Sequence, residues 1–291
     1  MDMYWFKVLL PYTAGCLLLI ALQAKAEAIV HKIESSSLKA EADYIAGDED
    51  KAAVLILHGF LTTNKFHTVT AMAQALQEEG YTTLSPTLTL NISQRQNSVK
   101  CNSIHTHTLE KDVLEVAEWV RFLHNKGHKK IILLGHSSGS QELIEFLNTH
   151  KDIAIEAAIF TSLFYLKGSE LGTIQNEMDY AQQALKEKQN RPHKYNFLFC
   201  KSNYYAVPES FLSYLKLDRS YILDSLKNLS IPSYTIMGSA DKRYQSVGKD
   251  WLKALEQTGT QLIIIDGANH FFSSEHEFDL QDTLNQIINN L

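Results

Sequence analysis

The ten residues Lys130 to Gly139, KIILLGHSSG, constrain this chain more than any other stretch. Ile131 to Leu134 is an apolar run, too short for a helix and made of strand formers. It breaks at once into Gly135-His136-Ser137-Ser138-Gly139. Leu143, Ile144 and Leu147 then recur at the spacing of one buried helix face. A G-x-S-x-G between strand and helix holds its serine on a tight, strained turn with the hydroxyl clear of the backbone. The flanking glycines let strand and helix close around it. Ser137 is therefore a candidate nucleophile, presented at the carboxyl edge of a sheet.

The 291 residues suffice for one large domain or two small ones, and their composition is that of a globular protein. The net charge is −6, with both signs mixed along the chain and no basic stripe. That excludes nucleic acid as an expected partner. No internal repeat or low-complexity tract is present. At the N-terminus, Lys7 precedes the apolar run Val8 to Leu22, broken only at Pro11 to Thr13 and Gly15, and Ala24-Lys25-Ala26 follows. This is a secretory signal pattern over residues 1–26, leaving a domain of residues 27–291. It implies a periplasmic or secreted protein; the rival reading is an uncleaved segment that anchors the chain to a membrane. Cys16 leaves with the signal. Cys101 and Cys200 remain as an even pair in an oxidising compartment, and a disulfide between them is expected, against two separate buried thiols.

Along the chain, Leu38, Ala40, Ala42 and Tyr44 alternate with polar residues, as in an antiparallel edge strand. Ala52 to Leu57 is continuously apolar, as in a central strand covered on both faces. Val69, Met72, Ala73 and Leu76 mark a helix ending at Gly80, and Tyr81 to Leu84 a strand ending at Ser85-Pro86. The polar stretch from Thr87 to Thr108 reads as a loop at the site entrance. Its Cys101, His105 and His107 lack a fourth metal ligand at useful spacing. Leu109, Val113, Val116, Val120 and Leu123 trace a long helix, and Ile153 to Phe160 a further strand. Alternation of this kind specifies an α/β fold with a mostly parallel, doubly wound sheet. It lapses over residues 162–229, rich in aromatics and without a clear strand, which read as a helical cap insertion. Helices are expected there through Met178, Ala181 and Leu185 and over Phe211 to Leu217. The alternation resumes with a strand from Ile231 to Met237, a helix at Trp251, Leu252 and Leu255, a strand from Gln261 to Ile265 and a helix from Leu280.

A serine hydroxyl needs a base within reach, and the base needs an orienting carboxylate. Gly238-Ser239-Ala240-Asp241 and Gly267-Ala268-Asn269-His270 each follow a predicted strand, so both loops open at the same sheet edge as Ser137. His58-Gly59-Phe60 ends an upstream strand, where backbone N–H groups build an oxyanion hole; the donors expected are those of Phe60 and Ser138. These four motifs, in this order, resemble those of the α/β-hydrolase superfamily. The resemblance runs from about Ala52 to the C-terminus, less the cap. It implies Ser137 as nucleophile, His270 as base and Asp241 as acid. His276 and Asp266 are the competitors for the last two roles, while His136 and the His58 side chain read as structural. Ser138 and Ser140 depart mildly from residues common around such turns.

The expected function is an exported serine hydrolase that cleaves a small-molecule or lipid-like carboxylic ester, or a related thioester, amide or lactone, through an acyl-enzyme; a lipid-like substrate would bring it near a membrane. It would need no metal or organic cofactor. A non-catalytic binding protein on the same scaffold and a serine acyltransferase remain the alternatives.

Overall fold

The computed structural model describes residues 27–166, 175–248 and 250–291. The predicted signal segment, residues 1–26, lies outside them, as does part of the predicted cap. Strands β1 (Glu27–Lys32), β2 (Lys39–Ile45), β3 (Ala53–Leu57), β4 (Thr82–Thr87), β5 (Ile131–His136), β6 (Ala157–Thr161), β9 (Ser233–Gly238) and β10 (Gln261–Ile265) form one eight-stranded sheet. Its order is β1-β2-β4-β3-β5-β6-β9-β10. Both pairings of β2 are antiparallel, and all others in this sheet are parallel.

The side-chain period of two divides the central strands between two cores. Ala53, Leu55 and Leu57 of β3, with Ile131 and Leu133 of β5, face a core shared with α2 (Leu109–Asn125), α3 (Ser138–Thr149) and α8 (Trp251–Glu256). Val54 and Ile56, with Ile132 and Leu134, face the opposite core, where α1 (His67–Glu78) packs on α9 (His276–Ile288). Helix α2 begins where the Thr108 side chain accepts from the Lys111 N–H, with Glu110 and Asp112 in its first turn against the positive end of the helix dipole. The chain leaves β3 toward β4 and leaves β5 toward β6, in opposite directions. A crevice opens at that switch, beyond the carboxyl ends of β3 and β5.

The structure corrects several expectations. β2 is not an edge strand; β1 pairs outside it. β1 went unread because neither of its faces is deeply buried and its apolar residues, Ile29 and Val30, are adjacent. β4 continues through Pro86 to Thr87, past Leu84, where its register with β3 ends, so the missing proline N–H costs that pairing nothing. β6 begins only at Ala157. The segment between β6 and β9 carries α4 (Gln175–Lys186), α5 (Pro208–Tyr214) and α6 (Arg219–Lys227). It also holds a small antiparallel sheet of β7 (His193–Tyr195) and β8 (Tyr204–Ala206), which composition did not reveal. Strands of three residues are too short to display a period. A six-residue helix, α7 (Lys242–Val247), follows Asp241 for the same reason unseen.

Cys101 and Cys200 are joined in a disulfide, Cα–Cα 5.4 Å. The polar loop is also stitched to β8 by backbone bonds from His105 N to Tyr205 O and from Val207 N to His105 O. Tyr195, Phe197, Tyr204, Phe211 and Tyr214 are buried there, with Tyr195 stacked on Phe211 at 4.0 Å between centroids. Among the described residues, no helix is long and apolar enough to cross a membrane.

Candidate active site

Ser137 sits between β5 and α3 with φ 58° and ψ −121°, a backbone conformation that L side chains rarely adopt. Its N–H donates to Thr161 O, and Ser140 Oγ donates to Gly135 O, so the turn is bonded into β5 and β6. The glycines are required by close approach. A Cβ on Gly135 would lie 2.7 Å from the Ser140 backbone, and one on Gly139 2.5 Å from His58 O.

His270 Nε2 lies 2.9 Å from Ser137 Oγ, and His270 Nδ1 lies 2.8 Å from Asp241 Oδ2. All three residues are buried. Asp241 Oδ1 accepts from the Arg243 N–H and so caps α7, leaving Oδ2 for the histidine. The His270 carbonyl accepts from Ser162 Oγ. Burial lowers the His270 pKa below the ordinary histidine value; the Asp241 hydrogen bond and charge oppose this, and the Arg243 cation adds to it. The imidazole is neutral at pH 7, with Nε2 available as an acceptor.

The competitors lie elsewhere. His276 starts α9 and pairs with Asp279, and Asp266 accepts from Ser239 Oγ. His136 is buried beneath the turn, its Nδ1 3.0 Å from Thr161 Oγ1. His105 Nε2 is 3.2 Å from Cys101 O, and Cys101 is committed to its disulfide, so this trio is a structural tie.

The Gly59-Phe60 backbone passes close to the serine; a Cβ on Gly59 would stand 3.2 Å from Ser137 Cβ. Among the described residues no backbone carbonyl accepts from the Phe60 N–H. The Ser138 N–H belongs to the first turn of α3, where such groups lack an intrahelical acceptor. His58 braces this loop. Its Nδ1–H donates to Gly59 O at 2.9 Å, and its Nε2 accepts from the Leu88 N–H at 3.1 Å. Burial and then the Arg95 charge push His58 down to about 3, so it stays neutral. Arg95 is buried. It donates to Leu88 O, Thr62 O and Asn97 O, and its Nη2 lies 3.2 Å from His58 Nε2. Sequence reading missed Arg95, which sits in an Asn- and Ser-rich loop with no spacing signal.

A cavity of about 380 Å³ opens on Ser137 and His270. Phe60, Phe66, Phe164, Leu198, Phe199 and Phe271 supply its apolar wall, and Arg243 lies over the Phe164 and Phe199 rings. No residue of the 87–108 loop lines this cavity, contrary to the expected role at the entrance; the loop is instead bonded to the residues just after Phe60, the Val99 N–H donating to Leu61 O and Arg95 to Thr62 O.

The architecture is the α/β-hydrolase fold. Est1E from Butyrivibrio proteoclasticus is similar with a TM-score of 0.63 at 18% identity, covering 90% of this chain and 98% of its own. A structure of ferulic acid bound to Est1E aligns with a TM-score of 0.65 at 17% identity over the same shares. The α/β hydrolase GrgF from Penicillium sp. sh18 aligns with a TM-score of 0.68 at 14% identity, over 91% of this chain and 97% of its own. The chain belongs to the family described as protein of unknown function (DUF1749), whose model matches residues 21–189. No curated protein matches the sequence.

Proposed function

We propose that the protein is a serine hydrolase that cleaves a carboxylic ester through an acyl-enzyme. The observation that carries this reading is the unbroken line Asp241–His270–Ser137, with a 2.8 Å and a 2.9 Å contact, opening into an apolar cavity. Ser137 Oγ attacks the carbonyl carbon while its proton passes to His270 Nε2. Asp241 holds the tautomer with Nδ1 protonated and stabilises the imidazolium. The Phe60 and Ser138 N–H groups receive the charge that develops on the carbonyl oxygen. His270 returns the proton to the leaving oxygen, and water repeats the sequence on the acyl-enzyme. The segment between β6 and β9 acts as a cap, since its Leu198 and Phe199 close one wall of the cavity. The disulfide favours an oxidising compartment and therefore supports export.

The test is labelling of the mature protein by a fluorophosphonate, wild type beside Ser137→Ala, followed by turnover of p-nitrophenyl esters. Only the wild type should label, and Ser137→Ala or His270→Ala should lose about 10⁴-fold or more in kcat. A well-folded wild type that neither labels nor turns over would leave the binding-protein reading.

A further inference from the structure

The cavity on Ser137 has a volume of about 380 Å³, that of about a dozen waters at ~30 Å³ each. A methyl or acetyl group would leave most of it empty. Its aromatic wall comes in two banks. On one side, Phe60 of the loop after β3 meets Phe199 of the segment between β6 and β9, with centroids 5.4 Å apart and planes at 73°. On the other, Phe66, the residue before α1, meets Phe271, the residue after His270, at 5.5 Å and 63°. All four line the cavity, yet among the described residues no ring contact joins Phe60 or Phe199 to Phe66 or Phe271. The space between the banks is the cavity itself. Phe164 stands at the end that holds His270, 6.0 Å from its ring.

Each bank leaves one ring partly in water: Phe199 is 50% exposed and Phe271 38%. Phe199 is nevertheless held in place. Cys200 beside it is bonded to Cys101, and the Arg243 guanidinium lies 5.7 Å from its ring centroid. Apolar surface kept exposed at the mouth of a pocket is the mark of a ligand that covers it. We propose, resting on the ester-hydrolase reading above, that the substrate is an ester whose larger half carries an aromatic ring, that this ring lies between the two banks, and that Phe199 selects it. An aliphatic group of the same size gains from burial alone. A ring gains edge-to-face or offset contacts besides, at centroid distances of ~4.5–7 Å, the range in which the wall's own pairs already stand.

The test uses matched esters that differ only in phenyl against cyclohexyl: methyl 3-phenylpropanoate beside methyl 3-cyclohexylpropanoate, and 2-phenylethyl acetate beside 2-cyclohexylethyl acetate. The first pair carries the ring in the acyl half, the second in the alcohol. Burial alone favours cyclohexyl, which has the larger apolar surface. Wild type should instead prefer the phenyl member of at least one pair by about 5-fold or more in kcat/KM. Phe199→Leu keeps the wall apolar and removes a ring, so it should lower that ratio by about 3-fold. Phe66→Leu, on the opposite bank, should lower it likewise, and replaces Phe199→Leu if the latter does not fold. The ratio is read within one preparation, so a loss of stability or of active fraction does not move it. Fluorophosphonate labelling of Ser137 with no phenyl preference in either pair, with neither pair turned over, or with the ratio unchanged in the variants would overturn the aromatic site alone. Absence of labelling and of all turnover would overturn the hydrolase reading and the aromatic site with it.

Discussion

Removing the Cys101–Cys200 disulfide should cost the protein a large part of its stability, and mainly through the unfolded chain. The crosslink spans 99 residues. In the chain-entropy account a closed loop of that order is worth about 4.7 kcal/mol. Nothing in the folded state replaces it: the bonds between the 101–107 loop and β8 persist in the variant but vanish on unfolding, so they leave the unfolded ensemble unconstrained. A loss of about 3–5 kcal/mol is therefore expected for Cys101→Ser/Cys200→Ser. With a urea m-value of about 3 kcal/mol/M, the midpoint should fall by about 1–1.7 M. The assay is urea unfolding followed by tryptophan fluorescence, comparing the double variant with wild type, and wild type with and without reductant. A midpoint unchanged between double variant and wild type would refute the reasoning, as would two free thiols in the mass of the unreduced protein. Activity adds a second reading. Leu198 and Phe199 sit just before Cys200 and wall the large cavity, so loosening the tether should raise KM for bulky esters more than it lowers kcat.

Three further outcomes are expected. The base must be neutral to act, and burial lowers the His270 pKa, so kcat/KM on a neutral ester should be full at pH 7 and fall on the acid side with a midpoint below 6.5; a midpoint above 7 in the pH–rate profile would contradict this. Ser137→Gly relieves a backbone held at φ 58°, so it should melt higher than Ser137→Ala by about 1 kcal/mol in calorimetry while both are inactive. An alanine variant that is the more stable of the two would show the strain to be absent. Arg95→Met removes the cation that holds Leu88 O and Thr62 O, and should lower kcat about 10–100-fold with little change in KM, together with a loss of about 3 kcal/mol in stability; an effect confined to KM would mean that Arg95 serves binding rather than the oxyanion loop.

What could be read from the sequence was what local chemistry dictates. Ser137 needed glycine neighbours between a strand and a helix, and Asp241 and His270 each had to follow a strand, so their loops announced themselves. Cys101 and Cys200 became a pair once export was inferred. The residues that escaped reading are those whose roles depend on distant neighbours. Arg95 matters because a loop returns it to His58, 37 positions earlier. Phe271 follows His270 directly and would have been suspected only from the knowledge that Phe66 faces it at 5.5 Å. The aromatic run after Thr161 suggested helices alone because β7 and β8 pair three residues each, below the length at which alternation is visible.

The three aligned side chains come from loops after β5, β9 and β10, and among the described residues the last of these strands pairs only with β9. During synthesis the serine turn can be shaped as soon as β3, β5 and β6 lie side by side, long before His270 has left the ribosome. Domains assemble as the chain emerges, N-terminal parts first. His270 thus reaches Ser137 only when β10 joins the sheet. A half-made chain carries the Ser137 turn without His270 beside it. On the serine-hydrolase reading proposed above, reactivity follows completion of the fold, and hydrolytic turnover then reads how much of a population has finished folding.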